Sequence, residues 1–198
     1  MATAVSIASN ALIRLGTDPI SSFDEADLSG SNIERARVAV NLWPTIRRQV
    51  LRSYTPNIAT KRVLLSASTT APAFGYAYQY QKPSDWLRTV QVGREEYDRE
   101  DWRAEGNYFL SASDEFALTY IYDNENPAMY DPSLVAALEV AMAAAMAYPI
   151  TKSTSLAESM AAEARDHLRM ARGLDAQDDS PATFGDFRLL GSRFGSRW

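Results

Sequence analysis

YAYQYQKPSDWLRTVQV, residues 76–92, is the stretch on which the rest of the chain is organised. It reads as a strand, a proline turn and a second strand. Side chains alternate along a strand, so Tyr76, Tyr78 and Tyr80 fall on one face. Lys82-Pro83-Ser84-Asp85 interrupts the run, because proline cannot donate to a ladder while serine and aspartate favour turns. From Trp86 to Val92 the β-rich pattern resumes. The pair is expected to sit at the centre of a sheet, with the other strands gathered around it.

Strand signals continue on both sides. KRVLLSA, residues 61–67, reads as a first strand, and residues 68–76 form a loop of small residues broken by Pro72 and Gly75. Trp102 to Tyr108 carries a tight hairpin turn at Gly106, where glycine supplies a positive φ. Residues 107–112 and 116–123 are expected to pair as a further hairpin around Ser113-Asp114-Glu115. In the last of these strands Phe116, Leu118, Tyr120 and Tyr122 share one face, and Ala117, Thr119 and Ile121 the other.

Helical periodicity occupies both ends. Residues 3–15 place Val5, Ile7, Ala8, Ala11, Leu12 and Leu15 on one stripe, with Thr3 as cap and Gly16 as stop. A polar loop with Asp24, Glu25 and Asp27 follows. The next helix spans 31–54, with a Ser31/Glu34 capping box and a stripe of Ile33, Ala36, Val40, Trp43, Ile46 and Val50. Pro44 predicts a kink or break in it. Arg47, Arg48 and Arg52 cluster near its end; favourable placement against the helix dipole is the preferred reading, and a phosphate site the alternative. Asp131 at the N-cap and Pro132 at the first turn open a third helix, whose buried face is Leu134, Leu138, Met142 and Met146 and whose end is Pro149. A last helix, 155–172, buries Leu156, Met160, Ala164, Leu168 and Ala171 and stops at Gly173.

Two helices before the strands and two after predict an α+β chain. Its N- and C-terminal helices form a four-helix bundle, residues 1–55 and 127–173. An antiparallel β subdomain, 56–126, is inserted between them. Residues 174–198 form an extended C-terminal tail.

Composition narrows the chemistry. The chain has 198 residues, 46% of them hydrophobic and 23% charged, and no cysteine. The missing cysteines exclude disulfides, thiol catalysis and thiolate zinc sites. A net charge of −5 argues against broad phosphate-driven nucleic-acid binding. The N-terminus lacks the pattern of a signal peptide, and no apolar run of membrane-spanning length is expected. Glu95, Glu96, Asp98, Glu100 and Asp101 are carboxylates of the kind used in glycoside hydrolysis. They are adjacent and interleaved with Arg94 and Arg99, so a solvated hairpin edge is preferred to a glycan or peptidoglycan hydrolase site. His167 has no partner motif and is read as structural. No cofactor or metal is expected.

The end of the chain differs from the rest. TFGDFRLLGSRFGSRW, residues 183–198, interleaves Phe184, Phe187, Leu189, Leu190, Phe194 and Trp198 with Arg188, Arg193 and Arg197, and glycines space them. Aromatic and arginine side chains are preferred interface anchors. These nine residues are the candidate docking site for a partner subunit.

The order of these motifs resembles the head-to-tail adaptor family of short-tailed bacteriophages, also called tail tubular protein A or the head–tail connector family. The resemblance rests first on the tyrosine-rich strand followed by Pro83-Ser84-Asp85-Trp86-Leu87-Arg88. It extends to Tyr54 through Arg62, with Pro56 where the family has Trp, and to the Glu105-Gly106 turn. It continues through Asp131-Pro132-Ser133-Leu134, the alanine-rich helix, Thr151-Lys152-Ser153 and the closing Ala171-Arg172. It spans nearly the whole chain. The resemblance implies a structural virion protein that is not an enzyme. It implies a dodecameric ring between the portal protein and the tail nozzle, assembled in the host bacterial cytoplasm. Such a ring passes DNA through its channel without sequence-specific binding, has no membrane partner, and has tail fibres as a further candidate neighbour. It further implies that the C-terminal segment engages the portal. Another tail-tube or stopper protein is the alternative.

Overall fold

The computed structural model describes residues 1–27, 33–94 and 101–178. In chain order these contain α1 (Ala4–Arg14), α2 (Ile33–Tyr54), β1 (Thr60–Leu65), β2 (Tyr78–Gln81), β3 (Trp86–Val92), β4 (Trp102–Glu105), β5 (Tyr108–Ser111), β6 (Phe116–Tyr122), α3 (Pro132–Thr151) and α4 (Thr154–Asp178). The fold is α+β, with two small antiparallel sheets.

Capping chemistry sets two helix starts where the sequence put them. Thr3 Oγ1 accepts the Ser6 N–H at 3.0 Å, and Ser6 Oγ accepts the Thr3 N–H at 2.9 Å, closing a reciprocal box. The Asp131 carboxylate accepts from the Ser133 and Leu134 N–H groups at 2.7 and 2.9 Å, with Pro132 in the first turn. Gly16, at φ +72°, ends α1. The Ser31/Glu34 box lies partly outside the described residues.

Three helix boundaries differ from the periodicity. α2 runs through Pro44 without a break. A proline inside a helix costs ~3 kcal/mol, but Ala36, Ala39 and Trp43 are buried before it and Val50 and Leu51 after it. Packing on both sides offsets one lost bond. α3 likewise passes Pro149 and ends at Lys152, which adopts φ +57°. α4 continues through Gly173 to Asp178, so residues 174–178 are helical and not extended. Glycine weakens a helix by only about 1 kcal/mol. Here the turn is anchored: Ala171 is buried, Arg172 donates to the Ser53 carbonyl, and the Asp175 carboxylate lies 3.3 Å from the Asn57 N–H.

α3 is the core helix, packed against α1, α2 and α4. Leu134, Leu138, Met142 and Met146 are fully buried, as their spacing predicts, and Ala137, Ala143 and Ala147 join them. Contrary to expectation, α3 is long and apolar enough to cross a membrane, with a mean hydropathy of 1.7. In this fold its polar interruption, Glu139, accepts from Asn10 at 2.6 Å and pairs with Arg14 at 3.5 Å. The α2 stripe is Ala36, Ala39, Trp43, Val50 and Leu51, whereas Ile33, Val40 and Ile46 are half-buried. In α4, Ala164 and Ala171 are buried; Leu156, Met160 and Leu168 are half-buried against the same core.

The strand pairing corrects the expected centre. One sheet has the order β1-β6-β3 and the other β2-β5-β4. The two halves of residues 76–92 therefore belong to different sheets, and β5 does not pair with β6. β6 takes the central place because it is buried on both faces. Phe116, Leu118 and Tyr120 point into an aromatic core, and Ile121 on the opposite face packs into the helical core. The sheets join where Ala67 bridges Tyr80 and the Ser68 N–H reaches the Gln79 carbonyl at 2.8 Å. Between them Tyr80, Phe109 and Phe116 are fully buried, their rings stacked at 4.9 and 5.2 Å, with Trp86 and Trp102 edge-on to Phe109. Of the three tyrosines only Tyr80 is core; Tyr78 is exposed and Tyr76 precedes the strand. The β4–β5 hairpin has the expected two-residue loop, with Gly106 at φ +49°.

Candidate docking surfaces

The arginines of α2 fasten the helices to the sheets. Arg47 is 5% exposed. Its Nε donates to Asp123 Oδ1 at 2.9 Å, and its Nη2 donates to Asp123 Oδ2 at 2.9 Å and to Glu125 at 2.8 Å. Arg48 Nε donates to the same Asp123 at 2.7 Å, and Arg52 donates to the Leu87 carbonyl of β3. Arg47 and Arg48 are committed to the chain leaving β6 and Arg52 to β3, so their roles are set by tertiary partners and the phosphate reading gains no support; Arg52 also stands in the last turn of α2, where the helix dipole favours a cation. Burial works to raise the Asp123 carboxyl, but hydrogen bonds from Arg47 and Arg48 and their charges outweigh it and hold it below the ordinary value. Nearby, burial pushes the Tyr130 hydroxyl up to about 12, and it donates to the Asn124 carbonyl.

The Pro-Ser-Asp turn does similar work between strands. Asp85 Oδ2 accepts from Lys61 of β1 at 2.6 Å, and Oδ1 accepts from the Tyr120 hydroxyl of β6 at 2.9 Å. The Asp85 carbonyl accepts the Asp123 N–H at 2.8 Å. Partial burial works upward on Asp85, yet the Lys61 and Tyr120 bonds hold its carboxyl below the ordinary value. Lys61 also lies 3.7 Å from the Tyr122 ring centroid. A polar turn motif thus ties three strands of one sheet together at its helical end.

The other sheet carries an open groove. Pro72, Phe74 and Tyr76 from the 66–77 loop face Arg103, Tyr108 and Leu110 across a cavity of about 460 Å³. Phe74 is 87% exposed and Tyr108 37% exposed. The Tyr76 hydroxyl approaches Asp101 at 3.3 Å, so the apolar centre has a charged rim. This arrangement suits recognition of an apolar side chain with a basic neighbour. The sequence reading missed it by treating 68–76 as a spacer; Phe74, the one large apolar residue among small ones, was the available signal.

Phe184, Phe187, Arg188, Leu189, Leu190, Arg193, Phe194, Arg197 and Trp198 lie outside the described residues. So do Glu95, Glu96, Asp98 and Glu100. Asp101 is exposed at the groove rim. His167 Nε2 lies 3.7 Å from Glu163, which also pairs with Arg14 at 3.3 Å, a polar seam between α1 and α4. Among the described residues no group of three His, Asp or Glu side chains is placed to hold a metal ion. No protein-family model matches the chain, and no curated protein sequence matches it significantly.

Proposed function

We propose that this chain is a head-to-tail adaptor of a short-tailed bacteriophage, a structural virion protein that forms a ring beneath the portal. In this reading the four helices act as one bundle and the sheets as a subdomain inserted into it. The ring, a dodecamer by resemblance, extends the DNA channel and presents a surface to the tail nozzle. It assembles in the host cytoplasm and ends in the virion neck.

The observation that carries the reading is the way the end of α4 is placed. Asp175 reaches Asn57 and Arg172 reaches Ser53, so α4 finishes against the root of the β strands. The apolar, arginine-bearing segment 183–198 follows in sequence a helix end that is anchored to the fold. Phe184, Phe187, Arg188, Leu189, Leu190, Arg193, Phe194, Arg197 and Trp198 act as portal anchors in this scheme. A rigid base with an aromatic, basic extension suits insertion into a preformed oligomer. Net charge −5 suits a channel that passes DNA without gripping it.

The test is co-sedimentation with portal rings of the same phage, using the full chain and a chain ending at Asp179. Binding by the full chain alone supports the adaptor reading and assigns the portal site to the terminal segment. Equal binding by both keeps the adaptor and moves its site to the folded part. Binding by neither refutes the reading in favour of a protein lower in the tail.

A further inference from the structure

We propose that the groove beside Phe74 holds residues 193–198 of its own chain until the portal takes them. The occupancy stands on the groove and the sequence; the handover to the portal rests on the adaptor reading.

The groove suits an apolar side chain with a basic neighbour. Pro72, Phe74, Tyr76, Tyr108 and Leu110 supply its apolar surface. Glu105 lines it and Asp101, bonded to the Tyr76 hydroxyl, stands at its rim, so two carboxylates face one guanidinium, Arg103. RFGSRW, residues 193–198, contains the matching pair twice, as Arg193-Phe194 and Arg197-Trp198. It has no acidic side chain, and its charge opposes that of the groove. Exposed apolar side chains next to an arginine also occur among the described residues, at Ile13-Arg14 and Arg169-Met170. Both pairs are on helices, where adjacent side chains point about 100° apart. Their arginines are already paired, Arg14 with Glu139 and Glu163, and Arg169 with Asp166.

Length selects the same chain. α4 finishes beside the start of β1, because the Asp175 carboxylate accepts from the Asn57 N–H. From Asn57 the chain runs to Ala67, which bridges Tyr80, the neighbour of the groove residue Gln79. That path is at most about 35 Å. The chain from Asp178 to Phe194 extends to about 55 Å, so Phe194 reaches the groove and Trp198 does so with more slack. Phe187-Arg188 is a further pair, but its reach of about 30 Å is shorter than the path. A tether that spans its site presents the segment at an effective concentration on the order of 1 mM, well above that of a second copy in dilute solution. Phe194 and Trp198 are also anchors in the portal scheme, so groove and portal compete for them. The internal contact keeps these anchors covered until a portal ring is met.

The chain has no cysteine, so two introduced thiols report one contact. Full-length Ala73→Cys/Ser196→Cys keeps every apolar and charged side chain of the contact. It is treated with a short bismaleimide at several chain concentrations, with Ile13→Cys/Ser196→Cys as background. Ala73 and Ile13 are exposed, so folding is preserved. The expected product is an internal link, independent of chain concentration and about tenfold above background. Phe74→Ala or Glu105→Arg in that chain should lower the yield about fivefold; an unchanged yield from both overturns the proposal. A yield at background overturns it, and so does a link that forms only between chains, which gives the groove to a neighbour's segment. Chymotryptic cleavage after Phe74 needs no substitution. It should be slower in the full chain than in a chain ending at Asp179, and equal rates overturn the occupancy. Added portal rings should lower the internal link; portal binding with the link undiminished overturns the handover. The internal link without portal binding supports the occupancy and removes the adaptor reading. Portal binding without the internal link overturns the proposal and leaves the adaptor reading intact.

Discussion

Replacing Arg47 by Met removes the charge that holds Asp123. Arg47 and Asp123 expose only 6% and 9% of their side chains, so the pair is shielded from water. The guanidinium gives Asp123 two hydrogen bonds and Glu125 one. Glu125 is 71% exposed, so its share is small. Removing one partner of a buried pair costs about 3–5 kcal/mol, because the other charge stays buried without compensation. Arg48 keeps one bond to Asp123, which places the expected loss near the lower end, about 3 kcal/mol. For a chain of this size that is a fall in Tm of about 6–12 °C. The assay is urea unfolding followed by far-ultraviolet circular dichroism, with calorimetry for Tm. Arg48→Met, whose side chain is 56% exposed, is the control and should cost less than about 1 kcal/mol. Arg47→Met with Asp123→Leu should recover most of the loss, since no buried charge is left alone. A loss below about 1 kcal/mol for Arg47→Met alone would refute the reasoning. Asp123 would then be hydrated, and the helices and sheets would be joined by other contacts.

Other perturbations test the remaining parts of the fold. Phe109→Ala empties a fully buried site between Phe116, Trp86 and Trp102 and should cost about 3–5 kcal/mol; denaturant titration reads it, and a loss under about 1 kcal/mol would mean the aromatic core collapses around the gap. Asp131→Ala should cost about 1 kcal/mol by uncapping the core helix, measured the same way, with Asp131→Ser retaining most of the stability. Gly106→Ala meets no neighbour within 4 Å, so only its positive φ opposes the change, at about 1 kcal/mol. Asp85 and Asp123 both have lowered folded-state pKa values. Their contribution is therefore complete above the unfolded aspartate value of about 3.9 and is lost as pH falls through the lowered folded values. Tm measured between pH 6 and pH 2 should drop most below about pH 4, and the Asp85→Asn/Asp123→Asn double variant should show a shallower drop.

Helix starts, the hairpin turn and the buried stripe of α3 were legible because each depends on near neighbours. Thr3, Asp131 and Gly106 act within three residues of themselves, and Leu134, Leu138, Met142 and Met146 share a face by periodicity alone. The four helices and the α+β order followed from the same signals. Helix ends were less legible, since Pro44, Pro149 and Gly173 oppose helix locally and were overruled by contacts elsewhere in the chain.

Partner choice was decided only in three dimensions. Residues 76–92 contain the right strands, but alternation says which face a side chain takes and not which strand it pairs with. β6 became the centre because it is buried toward both cores, with Phe116, Leu118 and Tyr120 in the aromatic one and Ile121 in the helical one. Arg47 looked like a residue suited to a helix terminus. Its role is set by Asp123, 76 positions away in the chain. Phe74 gained meaning only when Tyr108 and Leu110 arrived opposite it. The sequence determined elements, because their causes are local. The tertiary structure decided pairing, charge burial and the groove, because those depend on residues that only folding brings together.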